Sequence, residues 1–267
     1  MNYFSFFLVI FVIFVVVKII AYFEGRDIRK ARKVAQEPLY PSCNHPAPVR
    51  SEPYKAVSAK PRIPRTKHKQ NILIIDTETT GLHARAEVVQ LSVIDSEGNE
   101  VLDTLIRPFY PIPQEATNIH GITNEMVNLQ ETPTIVHAVL VLLHLVQEKF
   151  PDGDFQLVGY NTSFDTKMII QSLSITKQKL QRKSDKTLSD DEKLNLPDVV
   201  DNLKAFITTM KNNSRCIMRE YQDYSGNNRW VKLVQAASDC NVKIKDAHTA
   251  KGDCLMTLGV MKYIDRM

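Results

Sequence analysis

Cysteine is scarce in this chain: four thiols, Cys43, Cys216, Cys240 and Cys254, are spread over 267 residues. None belongs to a CxxC pair or to a zinc-type spacing, so neither a disulfide framework nor a structural zinc site is expected. Free thiols in a reducing compartment are the expected state. No internal repeat is present. A basic domain is missing as well. Residues 24–70 carry 12 Lys/Arg against 4 Asp/Glu, a balance of +8, whereas residues 71–267 carry 21 against 26, a balance of −5. The net charge of +4 therefore belongs to the tail and is no argument for nucleic-acid binding by residues 71–267.

Charge is almost absent from residues 3–23, "YFSFFLVIFVIFVVVKIIAYF", whose one ionisable side chain of that kind is Lys18. About 20 apolar residues cross a bilayer core as a helix. A cleaved signal peptide is the competing reading, but "MN" offers no positive start and "KIIAYFEG" no small-x-small cleavage site. One N-terminal transmembrane helix within residues 1–23 is the expectation, with Lys18 snorkelling toward the headgroups. Arg26, Arg29, Lys30, Arg32 and Lys33 come directly after it and mark that side as inside. The expected location is the cytoplasmic (inner) membrane, single-pass, with the domain that follows the linker in the cytoplasm. Residues 24–70 form a basic, proline-rich linker, with seven of the chain's 13 prolines and no helical or alternating period. Its "PRIPRTKHK" is either a solvated tether or a contact for anionic lipid or nucleic acid.

From residue 71 to 267 the pattern is that of one folded domain. "NILIID" reads as a buried strand, with "EVVQLSVID" and "EVLDTLIRP" as hairpin partners across "SEGN". "TIVHAVLVLLHLVQEKF" has a helical apolar face, "FQLVGYN" is a short strand, and "FDTKMIIQSLSI" opens a helix. "RWVKLVQAASDC" and "HTAKGDCLMTLGVMKYI" also read as helices. This order predicts an α/β domain with a mixed sheet. The charged segment 177–195 is a solvated helix or loop, or else an arm over a substrate.

The first strand runs into Asp76 and Glu78. Alternation places both carboxylates on one face, where like charges favour protonation unless a cation intervenes. Hard divalent ions take one or two carboxylates together with substrate phosphates. A lone DxE is weak, and two further blocks strengthen it. "VGYNTSFD" brings Asp165 to a strand–helix junction, and "AHTAKGDC" presents His248 and Asp253 around a helix start. Taken singly, Asp165 reads equally as a helix N-cap and His248 as a polar surface residue.

Together these blocks resemble the DEDDh-type 3′–5′ exonucleases, and within them the proofreading epsilon subunit of bacterial DNA polymerase III. The resemblance covers about residues 71–265: "IIDTETTGL" with Asp76 and Glu78, "NxxFD" with Asn161, Phe164 and Asp165, and "HxAxxD" with His248, Ala250 and Asp253. "EATNIHGIT" is similar to the family segment that sets a Glu and a His, here Glu115 and His120, near the terminal nucleotide. Tyr160 departs from the family pattern, which often has His there.

The resemblance implies a ribonuclease H-like fold, a mixed five-stranded sheet flanked by helices. It implies two Mg²⁺ or Mn²⁺ ions held by Asp76, Glu78, Asp165 and Asp253, with His248 as general base. Asp76, Glu78, Glu115, His120 and Asp253 would contact the substrate. That substrate would be the 3′ end of a nucleic acid, single-stranded DNA or short RNA, released as nucleoside 5′-monophosphates. A replication or repair partner would be consistent with the epsilon likeness, and no residue here names one. A catalytically silent binding module or a membrane interaction protein remain the alternatives.

Overall fold

The computed structural model describes residues 71–182, 190–243 and 247–266. The membrane segment and linker expected from the sequence, residues 1–70, lie outside the described residues, as does Cys43. No helix among the described residues is long and apolar enough to cross a membrane.

The chain enters through three antiparallel strands, β1 (Ile72–Thr79), β2 (Val88–Asp95) and β3 (Glu100–Leu105). β2 is buried along its whole length, which explains why it reads as a near-continuous apolar run. The β2–β3 turn falls on the expected "SEGN": Asp95 Oδ1 accepts the N–H groups of Glu97 (3.0 Å) and Asn99 (2.9 Å). Gly98, at φ +87°, supplies a left-handed position open to glycine without strain.

Three helices come next, α1 (Gln114–His120), α2 (Asn124–Val127) and α3 (Ile135–Lys149). β4 (Gln156–Gly159) then pairs parallel to β1, with Ile74 opposite Val158. After it stand α4 (Thr162–Arg182) and α5 (Asp190–Asn212), so the charged segment contributes to both helices and residues 183–189 lie outside the described residues. β5 (Ser214–Cys216) adds parallel to β4, followed by α6 (Ile217–Ser225), α7 (Leu233–Asp239) and α8 (Ala250–Arg266). The five-stranded mixed sheet has the order β3-β2-β1-β4-β5.

Ile72, Ile74, Ile94 and Val158 face α6, α7 and α8, where Tyr221, Ala236 and Val260 close one core. α4 packs on the sheet as well, and α3 and α5 pack against α4. Cys240 and Cys254 are buried free thiols, and Cys216 is a free thiol too. The α/β class with a mixed sheet and flanking helices matches the sequence reading. The helix expected from Arg229 starts only at Leu233, which leaves Arg229–Lys232 as loop.

Candidate active site

Burial along β1 is unbroken as far as Ile75 and relaxes only at Asp76 and Glu78. Both belong to the face that carries Ile72 and Ile74, where coverage by α8 gives way to solvent. α8 brings Asp253 to the same place. One carboxylate oxygen each from Asp76, Glu78 and Asp253 lie within 4.8 Å of one another.

Asp165 arrives from the first turn of α4 and is only 3% exposed. Its Oδ1 accepts two bonds from Thr77, the N–H at 3.1 Å and the side-chain hydroxyl at 2.9 Å. It is therefore not a helix cap. α4 starts hard against β1 because β4 ends in glycine: a Cβ on Gly159 would lie 3.0 Å from Thr162 Oγ1 and 3.2 Å from the Ile75 carbonyl oxygen.

The electrostatics of this group are those of unneutralised acids. Burial, then Asp165, Asp253 and Glu78, push the Asp76 carboxyl well above the ordinary range. Burial, with Asp253 and Asp165, takes Glu78 up to about 9. Burial raises Asp165 to about 7 against the opposing Thr77 hydrogen bonds. It raises Asp253 too, opposed by the His248 N–H and its charge. No Lys or Arg pairs with these acids among the described residues. A compact, all-oxygen, proton-hungry set of this kind fits hard divalent cations.

His248 precedes α8 by two residues, is exposed, and holds φ at +65°. For a residue with a Cβ that conformation costs about 1–3 kcal/mol and is met mostly where surroundings impose it. Here they do. The His248 N–H donates to Asp253 Oδ1 at 3.1 Å, and Thr249 Oγ1 accepts the Gly252 N–H at 3.1 Å, capping α8. The Ala250 N–H reaches across to Gln90 Oε1 at 3.2 Å. Gln90, fully buried in β2, donates from Nε2 to Asp103 Oδ1 at 2.9 Å. The start of α8 is thus pinned to the sheet at the register position where Gln90 faces Glu78.

Glu115 and His120 both lie on α1. Glu115 is exposed in its first turn. His120 is buried, its Nδ1 accepting the Ile122 N–H at 3.0 Å. Its Nε2 is buried beside the Thr79 backbone without a well-formed hydrogen bond. Burial lowers its pKa. The structure therefore brings His120 to the end of β1, while Glu115 faces solvent.

Thr77, Gln90 and Thr249 were not singled out in the sequence. Gln90 had a signal: a glutamine inside "VVQLSV" must find partners once buried. Thr249 ahead of an apolar helix is a capping pattern. Thr77 carried none.

The exonuclease family model (RNase_T) matches residues 73–261 of this chain, a span that contains every carboxylate named above and His248. An uncharacterized exonuclease of Escherichia phage 186 is 35% identical over 196 residues, covering 71% of this chain and 85% of that protein. DNA polymerase III subunit epsilon of Aquifex aeolicus is 34% identical over 112 residues, or 39% of this chain and 52% of the relative. A 3′-exonuclease solved in the recognition of a histone mRNA stem-loop shares the fold at TM-score 0.50 and 11% identity, over 75% of this chain and 84% of that one. The chain belongs to the exonuclease family.

Proposed function

We propose that this protein removes nucleoside 5′-monophosphates from the 3′ end of single-stranded DNA, using two divalent cations, Mg²⁺ or Mn²⁺, while tethered to a membrane. The observation that carries the reading is the convergence of Asp76, Glu78 and Asp253 within 4.8 Å, with Asp165 buried beside them. Asp76 would contact both ions, Glu78 and Asp253 one or both, and Asp165 the second directly or through water. When bound, such ions stabilise charge on the scissile phosphate and the leaving 3′ oxygen and make water a stronger nucleophile at neutral pH.

The protein's own groups supply the rest. His248 takes the proton of the attacking water, a task suited to imidazole, whose ordinary titration lies nearest neutral pH. The hydrogen bond from its N–H to Asp253 fixes its backbone beside the carboxylates. Thr77 holds Asp165 in one orientation through two hydrogen bonds. Glu115 and His120 would position the terminal nucleotide.

Tethering rests on the apolar run at residues 3–23, whose one charge is Lys18, and the basic cluster after it. The domain organisation proposed is an anchor in residues 1–23, a linker over 24–70 and the exonuclease domain from 71 to 267. The catalytic domain would lie on the cytoplasmic side.

Matched single-stranded DNA and RNA oligonucleotides carrying a 5′ label test the activity and the substrate together. DNA should shorten one nucleotide at a time from its 3′ end, faster than RNA. Faster RNA shortening would transfer the reading to a short-RNA substrate, since recognition of the 2′-hydroxyl separates the two. Internal cuts or shortening from the 5′ end would contradict the function itself.

A further inference from the structure

The single tryptophan of this chain, Trp230, is 61% exposed. An indole left in water on a domain of this size calls for an explanation, and its surroundings supply one. It lies in the loop between α6 and α7, flanked by exposed Arg229 and Lys232. Residues 227–235, "NNRWVKLVQ", contain no acid, although residues 71–267 as a whole carry five more acidic than basic groups (26 − 21). Neither Arg229 nor Lys232 forms an ion pair among the described residues.

The loop is fastened to the end of the catalytic sheet. Tyr160 donates its hydroxyl hydrogen to the carbonyl of Val231, the residue next to Trp230. Tyr160 comes directly after β4, and its backbone carbonyl accepts the Met218 N–H at 2.9 Å. β4 runs parallel to β1 with Val158 opposite Ile74. Tyr160, two residues past Val158, belongs to the same buried cluster as Ile74 and Val158, and Asp76 comes two residues after Ile74 on β1. The tyrosine that holds the Trp230 loop thus follows directly on the strand that pairs with β1, the strand that carries Asp76. The Tyr160 hydroxyl reaches the loop.

We infer that Trp230, with Arg229 and Lys232, is a stacking platform for the nucleic-acid strand, holding a base upstream of the nucleotide being removed. This deepens the exonuclease reading and rests on it. Every base offers a π-face to an aromatic ring, so such a platform tolerates any sequence. The two cations meet the backbone phosphates on either side. A positive rim on an acidic domain also recruits the strand without placing cations among the metal-binding carboxylates.

Because the chain has one tryptophan, its fluorescence reports on this site alone. The test uses the full chain in detergent micelles with a phosphorothioate-protected single-stranded DNA, Ca²⁺ replacing Mg²⁺. Trp230 emission should be quenched saturably as the strand binds. Trp230→Ala should weaken binding about 5- to 150-fold, the loss of one stacked base, and Trp230→Phe should restore part of it. Arg229→Ala and Lys232→Ala should each reduce the salt slope of binding by about one ion. Hydrolysis of thymidine 5′-monophosphate p-nitrophenyl ester, which has no upstream nucleotide, should be the same in Trp230→Ala and wild type. Unchanged emission on binding, or equal DNA affinity in Trp230→Ala, would overturn the platform. Failure of the wild type to hydrolyse the ester would count against the catalytic reading alone, and the binding data would still decide the platform.

Discussion

His248 occupies a backbone conformation, φ +65°, that glycine adopts without strain. Two roles are therefore separable at this one position. His248→Gly relieves the backbone while deleting the imidazole, so the melting temperature should be unchanged or higher. Turnover should nevertheless fall about 10²–10⁴-fold, the usual contribution of a positioned general base. Calorimetry beside steady-state kinetics checks both, and full turnover in the variant would leave His248 without a role in the reaction. At this scale the sequence showed the residues that the fold gathers but not their supports. Asp76, Glu78, Asp165, His248 and Asp253 stand in short recognisable blocks. Thr77 and Gln90 act on partners 88 and 160 residues away, and nothing local announces such bonds.

Elements with their own hydrophobic signature were legible, and those defined by neighbours were not. β1, β2 and β4 are apolar runs bounded by turn residues, and the structure places strands in each. β5 is three residues, Ser214–Cys216, held by pairing with β4, so its sequence alone carries no strand signal. α7 begins at Leu233 because the Tyr160 bond to Val231 holds the preceding residues as loop. At the element scale the joint that matters most is between β2 and α8. Gln90→Leu keeps the volume roughly but strands the Ala250 N–H and the Asp103 carboxylate, both bonded by Gln90. Unpaired buried groups cost about 1–3 kcal/mol, so chemical denaturation should show a loss of that size. Because α8 carries Asp253, kcat should fall too; a variant as stable and active as wild type would show that the joint does not position the site.

For the molecule as a whole, the acids bind folding to pH. Burial and mutual repulsion raise Glu78 to about 9 and Asp165 to about 7, from ordinary values near 4. A carboxyl so raised keeps its proton in the folded state where the unfolded chain has released it. Metal-free stability therefore falls as pH rises from about 4 toward 9. Divalent cations replace those protons, so the gap in melting temperature with and without Mg²⁺ should widen between pH 5 and pH 8. An equal gap at both values would contradict the linkage. The proposed anchor would enter none of this chemistry: removing residues 1–33 should release a protein of unchanged activity per molecule from the membrane fraction, and continued sedimentation with membranes would refute the tether.

That these particular carboxylates hold the metal is tested by uptake of Mn²⁺ at pH 8, followed by the electron paramagnetic resonance of the free ion. Wild-type protein should deplete free Mn²⁺, and Asp76→Asn, which keeps the shape of the side chain and removes its charge, should leave most of it in solution while losing exonuclease turnover. Equal Mn²⁺ uptake by the variant and the wild type would contradict the account.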